Sequence, residues 1–177
     1  MGEDEPKGPA PERVNCFVIS VSQAQADELE FAGALVKELL ETNFHHVVGS
    51  QAVKDDPAQI RAIAEQAAKH PKIQAIFFTG GSGITTRDNV SDVVEKMYQK
   101  PVRGFGELYR MLAYQEMGTM AMLASATAGI VNGRLVFTLP GTEAEVGLAM
   151  RELILPELGR LVYESVRPAA PAPDKSA

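Results

Sequence analysis

The sequence contains few cysteines and no long apolar run. Cys16 is the only cysteine among 177 residues, which excludes a disulfide framework and a metal cluster built from thiolates. No uninterrupted apolar segment approaches the roughly 20 residues that a membrane-spanning helix needs. The acidic, proline-containing start does not have the pattern of a secretory signal. We therefore expect a cytoplasmic protein without a membrane partner.

Basic charge is also scarce. Lysine and arginine together number 17 against 23 aspartates and glutamates, giving a formal net charge of −6. This balance argues against a global basic field for binding nucleic acid. With 45% hydrophobic residues, the chain is long enough for one buried core, and we expect a single domain at residues 13–166. Residues 1–12 and 167–177 are rich in proline, alanine and charge, so we predict disordered tails there.

Apolar runs alternate with helical periods along the chain, which indicates βαβ units and a parallel sheet with helices on both faces. Asn132-Gly133 between two strand-like runs is a strong hairpin signal and makes the sheet mixed. The predicted elements are strands at 14–21, 45–53, 73–78, 124–131 and 134–139, and helices at 27–43, 57–69, 90–97, 105–117 and 144–163, the last kinked at Pro156.

The most informative segment is FFTGGSGITTRD, residues 77–88, in which a strand runs into a loop rich in glycine. Gly80, Gly81 and Gly83 leave the backbone open to positive φ, so its N–H groups can turn together toward an anion such as phosphate. The same glycines could merely form a tight turn. Because ligands of such sheets bind at the carboxyl ends of the strands, where Asp55 is also expected, the binding interpretation is favoured.

Four motifs occur in a fixed order: TGGSG followed by Arg87-Asp88, GFGELYRML from Gly104, AMLASATAGIVNG from Ala121, and LPGT from Leu139. With these motifs, residues 14–161 resemble the MoaB/MogA family of molybdenum-cofactor biosynthesis proteins. The resemblance implies a three-layer α/β/α sandwich with a mostly parallel sheet extended by a β-hairpin. It also implies a homotrimer, with a hexamer as the larger alternative.

The activity that the resemblance implies is adenylylation of molybdopterin by ATP, with release of pyrophosphate. Phosphoryl transfer of this kind needs cradled phosphates and magnesium, which prefers one or two carboxylates together with water and phosphate oxygens. Asp55 and Asp88 match the essential acidic positions of the family, as catalytic residues and metal ligands. The substrate-binding positions that the resemblance implies are Ser22, Thr79, Gly80, Gly81, Ser82, Gly83, Glu107, Ser125, Pro140, Gly141 and Thr142.

Several of these residues also have a purely structural interpretation. Asp88 could cap the helix that begins near Asn89, and Asp55 could be a turn residue, although Asp56 before Pro57 is the better cap. Glu107 could simply complement the positive end of its helix. These alternatives stay open at the level of sequence.

Some positions depart from the family pattern, and all of them concern substrate binding. Ser22-Gln23-Ala24 stands where the family has an arginine, Ala32 replaces a hydroxyl residue, and Ala124-Ser125 replaces Ser-Arg. Neither alanine nor serine can replace the charged planar fork with which arginine binds phosphate. Two hypotheses follow: an active adenylyltransferase, or a MoaB-like paralogue that binds a pterin, a nucleotide or a partner protein without turnover. The sequence leaves open whether the pathway uses molybdenum or tungsten.

Overall fold

A computed structural model describes residues 10–22 and 30–166, so most of the predicted tails lie outside the described residues. Two short helical segments lie between the main elements, a 3₁₀ turn at Gly118–Leu123 and a π-helical turn at Met150–Ile154. In chain order the main elements are β1 (Asn15–Ser22), α1 (Glu30–Thr42), β2 (His46–Lys54), α2 (Pro57–Lys69), β3 (Ala75–Thr79), α3 (Val90–Glu95), β4 (Lys100–Pro101), α4 (Arg103–Met117), β5 (Thr127–Val131), β6 (Arg134–Leu139), α5 (Glu143–Ala149) and α6 (Leu158–Val166).

The strands form one sheet in the order β2-β1-β3-β6-β5-β4. The pairs β2–β1, β1–β3 and β3–β6 are parallel. The pairs β6–β5 and β5–β4 are antiparallel. The predicted fold is therefore confirmed, including the hairpin, whose turn residues Asn132 and Gly133 both have positive φ. The sequence analysis missed β4 because a strand of two residues carries no periodic pattern.

Two apolar layers cover the sheet, one on each face. Alternate residues of β3 point to opposite sides, with Phe77 in the layer formed by α1, α4, α5 and α6, and Phe78 in the layer formed by α2 and α3. Phe77 stacks on Phe137 of β6 with ring centroids 5.1 Å apart, and Phe105 of α4 meets Phe137 edge-on. Because both faces are covered, all five residues of β3 are buried, which explains its continuous apolar run.

The last helical region is interrupted rather than merely kinked. Helix α5 ends at Ala149, the π-helical turn follows, and the chain becomes α-helical again only at Leu158, beyond Pro156. The Leu155 N–H donates to the Met150 carbonyl five residues back, at 2.9 Å. Proline lacks an N–H and its ring crowds the preceding turn, so the widened turn and the break accommodate Pro156. Within residues 10–22 and 30–166, no helix is long and apolar enough to cross a membrane.

Phe44 closes helix α1 in the left-handed region, with φ of 65°. The N–H of the next residue, His45, reaches back to the Leu40 carbonyl at 2.9 Å, which is the Schellman arrangement that normally has glycine at this position. The Phe44 side chain is 83% exposed and so contributes little packing. The residue therefore carries backbone strain without an evident compensation in the folded chain.

We expect Phe44→Gly to be more stable than Phe44→Ala by about 1 kcal/mol. The left-handed conformation costs a side-chain-bearing residue roughly 1–2 kcal/mol, which exceeds the extra unfolded-state entropy of glycine, about 0.5–1 kcal/mol. Urea unfolding of both variants beside the parent chain measures the difference. If the alanine variant were the more stable of the two, the strain assigned to Phe44 would be wrong.

Candidate functional site

A cavity with a volume of about 630 Å³ lies at the carboxyl ends of β2, β1, β3 and β6. We call it the main cavity. All predicted site residues except Thr79, Glu107 and Thr142 line it. Those that line it are Ser22, Asp55, Gly80, Gly81, Ser82, Gly83, Asp88, Ser125, Pro140 and Gly141. Val21, Leu123 and Glu145 also line it and were not predicted.

The glycine loop, residues 80–83, is shaped by close contacts that leave no room for side chains. Gly80 and Gly81 have φ of 82° and 62°, a region that glycine adopts without a steric penalty. A Cβ at Gly81 would lie 2.7 Å from Asp55 Oδ2, and one at Gly83 would lie 2.6 Å from Asp88 Oδ2. The Ser82 hydroxyl donates to the Leu139 carbonyl at 3.2 Å, tying the loop to the end of β6.

Asp55 has one hydrogen-bonded carboxylate oxygen and one orphaned oxygen. Its Oδ1 accepts from the Asn89 backbone N–H at 3.1 Å and from the Asn89 side-chain amide at 3.0 Å. Its Oδ2 is buried and has no hydrogen-bond partner within the described part of the chain. Burial raises the pKa of the Asp55 carboxyl, the Asn89 hydrogen bonds lower it, and the charge of Asp88 raises it further. A buried carboxylate oxygen of this kind is stabilised by a cation or a proton.

The Asp88 side chain holds the loop rather than the following helix. Its Oδ2 accepts from the Thr85 backbone N–H at 2.9 Å and from the Thr85 hydroxyl at 2.6 Å. The N-cap position of α3 belongs to Asn89, whose side chain makes no cap hydrogen bond. The capping interpretation of Asp88 is therefore wrong, whereas Asp56 does cap α2, accepting from the Gln59 N–H at 2.9 Å.

The two acids, which we call the acidic pair, do not follow neighbouring strands of the sheet. Asp55 follows β2 and Asp88 follows the loop after β3, and β1 lies between these two strands. Both side chains nevertheless line the main cavity, where Asn89 binds Asp55 and Gly81 lies against it. The carboxylates are close enough for Asp88 to raise the pKa of Asp55.

A third carboxylate, that of Glu145, enters the main cavity from the first turn of α5. Thr142 is the N-cap of this helix: its hydroxyl accepts from the Glu145 N–H and donates to Glu145 Oε2 at 2.6 Å. Thr142 therefore caps α5 instead of lining the cavity. The pattern Thr-x-x-Glu at 142–145 is a capping-box signature, so the position of Glu145 could have been read from the sequence.

Thr79 and Glu107 do not line the main cavity. Thr79 is the buried last residue of β3. Glu107 is exposed on α4 and lines a second cavity of about 280 Å³ together with Arg103 and Arg110. The structure thus separates Glu107 from the glycine loop and the acidic pair.

The main cavity carries three carboxylates, and no lysine, arginine or histidine of the described residues lines it. Ser125 occupies one wall with its hydroxyl 3.4 Å from that of Ser91, and Ala124 and Ala32 are buried. Ala24 lies outside the described residues. In the described ranges, no three side chains of His, Cys, Asp or Glu gather to hold a metal by themselves. A polyanion bound here would need a cation, for which the acidic pair with its orphaned oxygen is a fitting partial ligand set.

Comparison with known proteins agrees with these features. A family model described as a probable molybdopterin binding domain matches residues 18–160. Molybdenum cofactor biosynthesis protein B of Halalkalibacterium halodurans is 38% identical over 168 residues, which cover 94% of this chain and 99% of that protein. A crystal structure of a molybdenum cofactor biosynthesis protein B matches with a TM-score of 0.85 and 37% identity, covering 90% of this chain and 99% of the other. The crystal structure of the tungsten cofactor synthesizing protein MoaB from Pyrococcus furiosus matches with a TM-score of 0.81 and 30% identity, covering 89% of this chain and 100% of the other.

We expect Gly81→Ala to weaken ligand binding at the site. Gly133→Ala is the control, because Gly133 has a similar φ of 70° and open space around it. Both variants incur left-handed strain of about 1–2 kcal/mol. Only the alanine at 81 also crowds neighbouring side chains, those of Val90 and Asp55. Calorimetric titration with inorganic pyrophosphate and Mg²⁺ should show at least tenfold weaker binding, about 1.4 kcal/mol, for Gly81→Ala alone. Equal binding by the two variants would mean that the loop does not need its contact with Asp55.

Proposed function

The chain belongs to the probable molybdopterin binding domain family of molybdenum cofactor biosynthesis proteins, and on this premise we propose that it adenylylates molybdopterin. A phosphate oxygen of molybdopterin attacks the α-phosphorus of ATP. The new bond joins that oxygen to the α-phosphorus, the bond to the bridging oxygen of the β-phosphate breaks, and pyrophosphate leaves with the electron pair. The products are adenylylated molybdopterin and pyrophosphate.

The observation that best supports this proposal is the set of backbone donors in the glycine loop. The N–H groups of Gly81, Ser82 and Gly83 donate to no atom of the described residues. They belong to the wall of a cavity at the carboxyl edge of the sheet, where they are available to phosphate oxygens. Donors fixed before the substrate arrives stabilise charge that develops in the transition state without reorganisation at the moment of reaction.

The acidic pair fits a magnesium ion brought in with the nucleotide. Asp55 has an orphaned, buried oxygen, and Asp88 Oδ1 accepts no hydrogen bond from the described residues. These two carboxylates would hold Mg²⁺, and phosphate oxygens and water would complete its ligands. When bound, the ion neutralises charge on the phosphates of ATP. By holding the ion, the carboxylates would bring positive charge into a cavity whose described lining carries no basic side chain.

We expect Asp88→Asn to lower magnesium-dependent pyrophosphate release by about 100-fold or more, since removing an outer partner of a metal site already costs roughly 10–100-fold. The amide oxygen of asparagine can still accept from Thr85, so unfolding free energy should change by less than about 0.5 kcal/mol. The matched control is Asp92→Asn, which removes an exposed charge from the first turn of α3 and should keep full turnover. Undiminished turnover in Asp88→Asn, or a stability loss in step with activity, would refute its role.

The same assay tests a second candidate function, a MoaB-like paralogue that binds a pterin, a nucleotide or a partner protein without turnover. The lack of basic side chains in the described lining of the main cavity, with Ser125 where the family has arginine, favours this candidate. Molybdopterin binding by the parent chain without pyrophosphate release under saturating ATP and Mg²⁺ would establish it. Turnover by the parent chain would exclude it.

We also propose that the chain assembles as a homotrimer, the state that the family resemblance implies, with a hexamer as the larger alternative. An exposed apolar patch on α4 and the following 3₁₀ turn supports this proposal. Its residues are between 47% and 81% exposed, and contiguous apolar surface of this kind marks interaction sites. The patch consists of Leu108, Met111, Tyr114, Met120, Met122 and Leu123.

Met111→Glu should dissociate the assembly, because the charge would have to be buried against apolar groups of a second copy. Val166→Glu, which changes a similarly exposed residue at the end of α6, is the control and should keep the parent mass. Sedimentation velocity at micromolar concentration gives the masses of all three chains. A monomeric parent chain under these conditions would contradict the trimer.

A further inference from the structure

Asn89 connects two parts of the site that the sheet holds apart. Neighbouring strands lie about 4.8 Å apart, so the ends of β2 and β3, with β1 between them, are separated by roughly twice that distance. Asp55 follows β2, and Asp88 and Asn89 follow the glycine loop after β3. The pairing of the acids therefore requires a contact that reaches across the end of β1. Asn89 makes that contact.

The contact is made by both donors of Asn89. The backbone N–H and the side-chain Nδ2 donate to the same oxygen, Asp55 Oδ1, at 3.1 and 3.0 Å. The second hydrogen of Nδ2 is directed to the Arg87 carbonyl at 3.0 Å, which fixes the amide plane. Two donors on one oxygen and none from the described residues on the other orient the carboxylate, leaving Oδ2 as the orphan against Gly81.

Helix capping does not explain this side chain. Asn89 stands at the N-cap position of α3, where asparagine normally accepts a hydrogen bond from the second or third N–H of the helix. Its backbone is in the helical region, with φ −104° and ψ −13°, and its side chain makes no cap hydrogen bond. The amide is used entirely as a donor toward Asp55 and Arg87.

We propose that Asn89 is a positioning residue of the cation site. It donates hydrogen bonds to Oδ1 of Asp55 and thereby leaves Oδ2 of Asp55 available to the metal. The inference rests on the proposed function, since it takes the acidic pair as the magnesium ligands. It adds a residue to that site which acts through Asp55 and touches neither phosphate nor metal. A neutral donor in this place also stabilises the Asp55 carboxylate without competing for the cation.

The test uses Mn²⁺ alone as the probe and follows its binding by electron paramagnetic resonance, with no substrate present. Asn89→Ala keeps the backbone donor and removes Nδ2, and it should weaken Mn²⁺ binding by about 10–100-fold, as loss of a partner of a metal ligand does. Asn43→Ala is the matched control: its Nδ2 also donates to a backbone carbonyl, that of Leu39 at 2.8 Å, on an exposed turn remote from the main cavity. Urea unfolding of both variants should show similar changes in stability.

A second readout separates positioning from general damage. In the pyrophosphate-release assay, Asn89→Ala should raise the KM for Mg²⁺ while kcat at saturating Mg²⁺ stays near that of the parent chain. A general loss of folded protein would lower kcat and leave this KM unchanged. That pattern would overturn the positioning role.

The outcomes for the inference and for the proposed function are distinguishable. Mn²⁺ binding that Asp55→Ala abolishes and Asn89→Ala leaves unchanged would overturn the role of Asn89 while the proposed function stands. Weakened Mn²⁺ binding in Asn89→Ala, together with a parent chain that releases no pyrophosphate, would support the inference and refute adenylyl transfer. A parent chain that binds no Mn²⁺ in the absence of substrate would overturn the role of Asn89, and pyrophosphate release would still decide the proposed function.

Discussion

The close approach of the Asp55 carboxylate to the backbone of Gly81 is the contact on which the rest of the site depends. A side chain at residue 81 would occupy the space of Oδ2, and the positive φ of Gly81 lets the loop turn there without steric penalty. Because β1 lies between β2 and β3, the contact between Asp55 and Gly81 passes over the end of β1. That strand end contributes Ser22 to the cavity wall. A larger residue at 81 would crowd Asp55 Oδ2 and the Val90 side chain.

The sheet beneath the loop supplies the rigidity that such a contact needs. Strand β3 is buried on both faces, and its Phe77 stacks on Phe137 of β6. These two strands deliver Gly80 and Pro140-Gly141 to the same edge, and the Gly80 N–H donates to the Leu139 carbonyl at 3.3 Å. Close-packed interiors resist deformation, so backbone donors that follow directly from these strands keep their direction before any ligand binds.

The charge distribution at this edge does not favour the folded state. Three carboxylates line a cavity whose described wall has no basic side chain, and burial raises the pKa of Asp55. Ionised groups placed together in a partly buried space disfavour the folded state unless a cation joins them. A cation bound beside the acidic pair would therefore stabilise the folded chain.

The sequence alone determined the layered fold, the hairpin and the elements that deliver the glycine loop, because apolar periodicity and turn residues act locally. Through the family resemblance that its motifs carry, it also selected most of the residues that line the main cavity. Only the tertiary structure decided the strand order that separates Asp55 from Asp88, the use of Asp88 within the loop instead of at a helix cap, and the bridging role of Asn89. It also placed Glu107 in a different cavity, which the sequence motif around Glu107 did not indicate. These features depend on which way a side chain turns and what lies across the sheet from it, and neither is encoded in the spacing of residues along the chain.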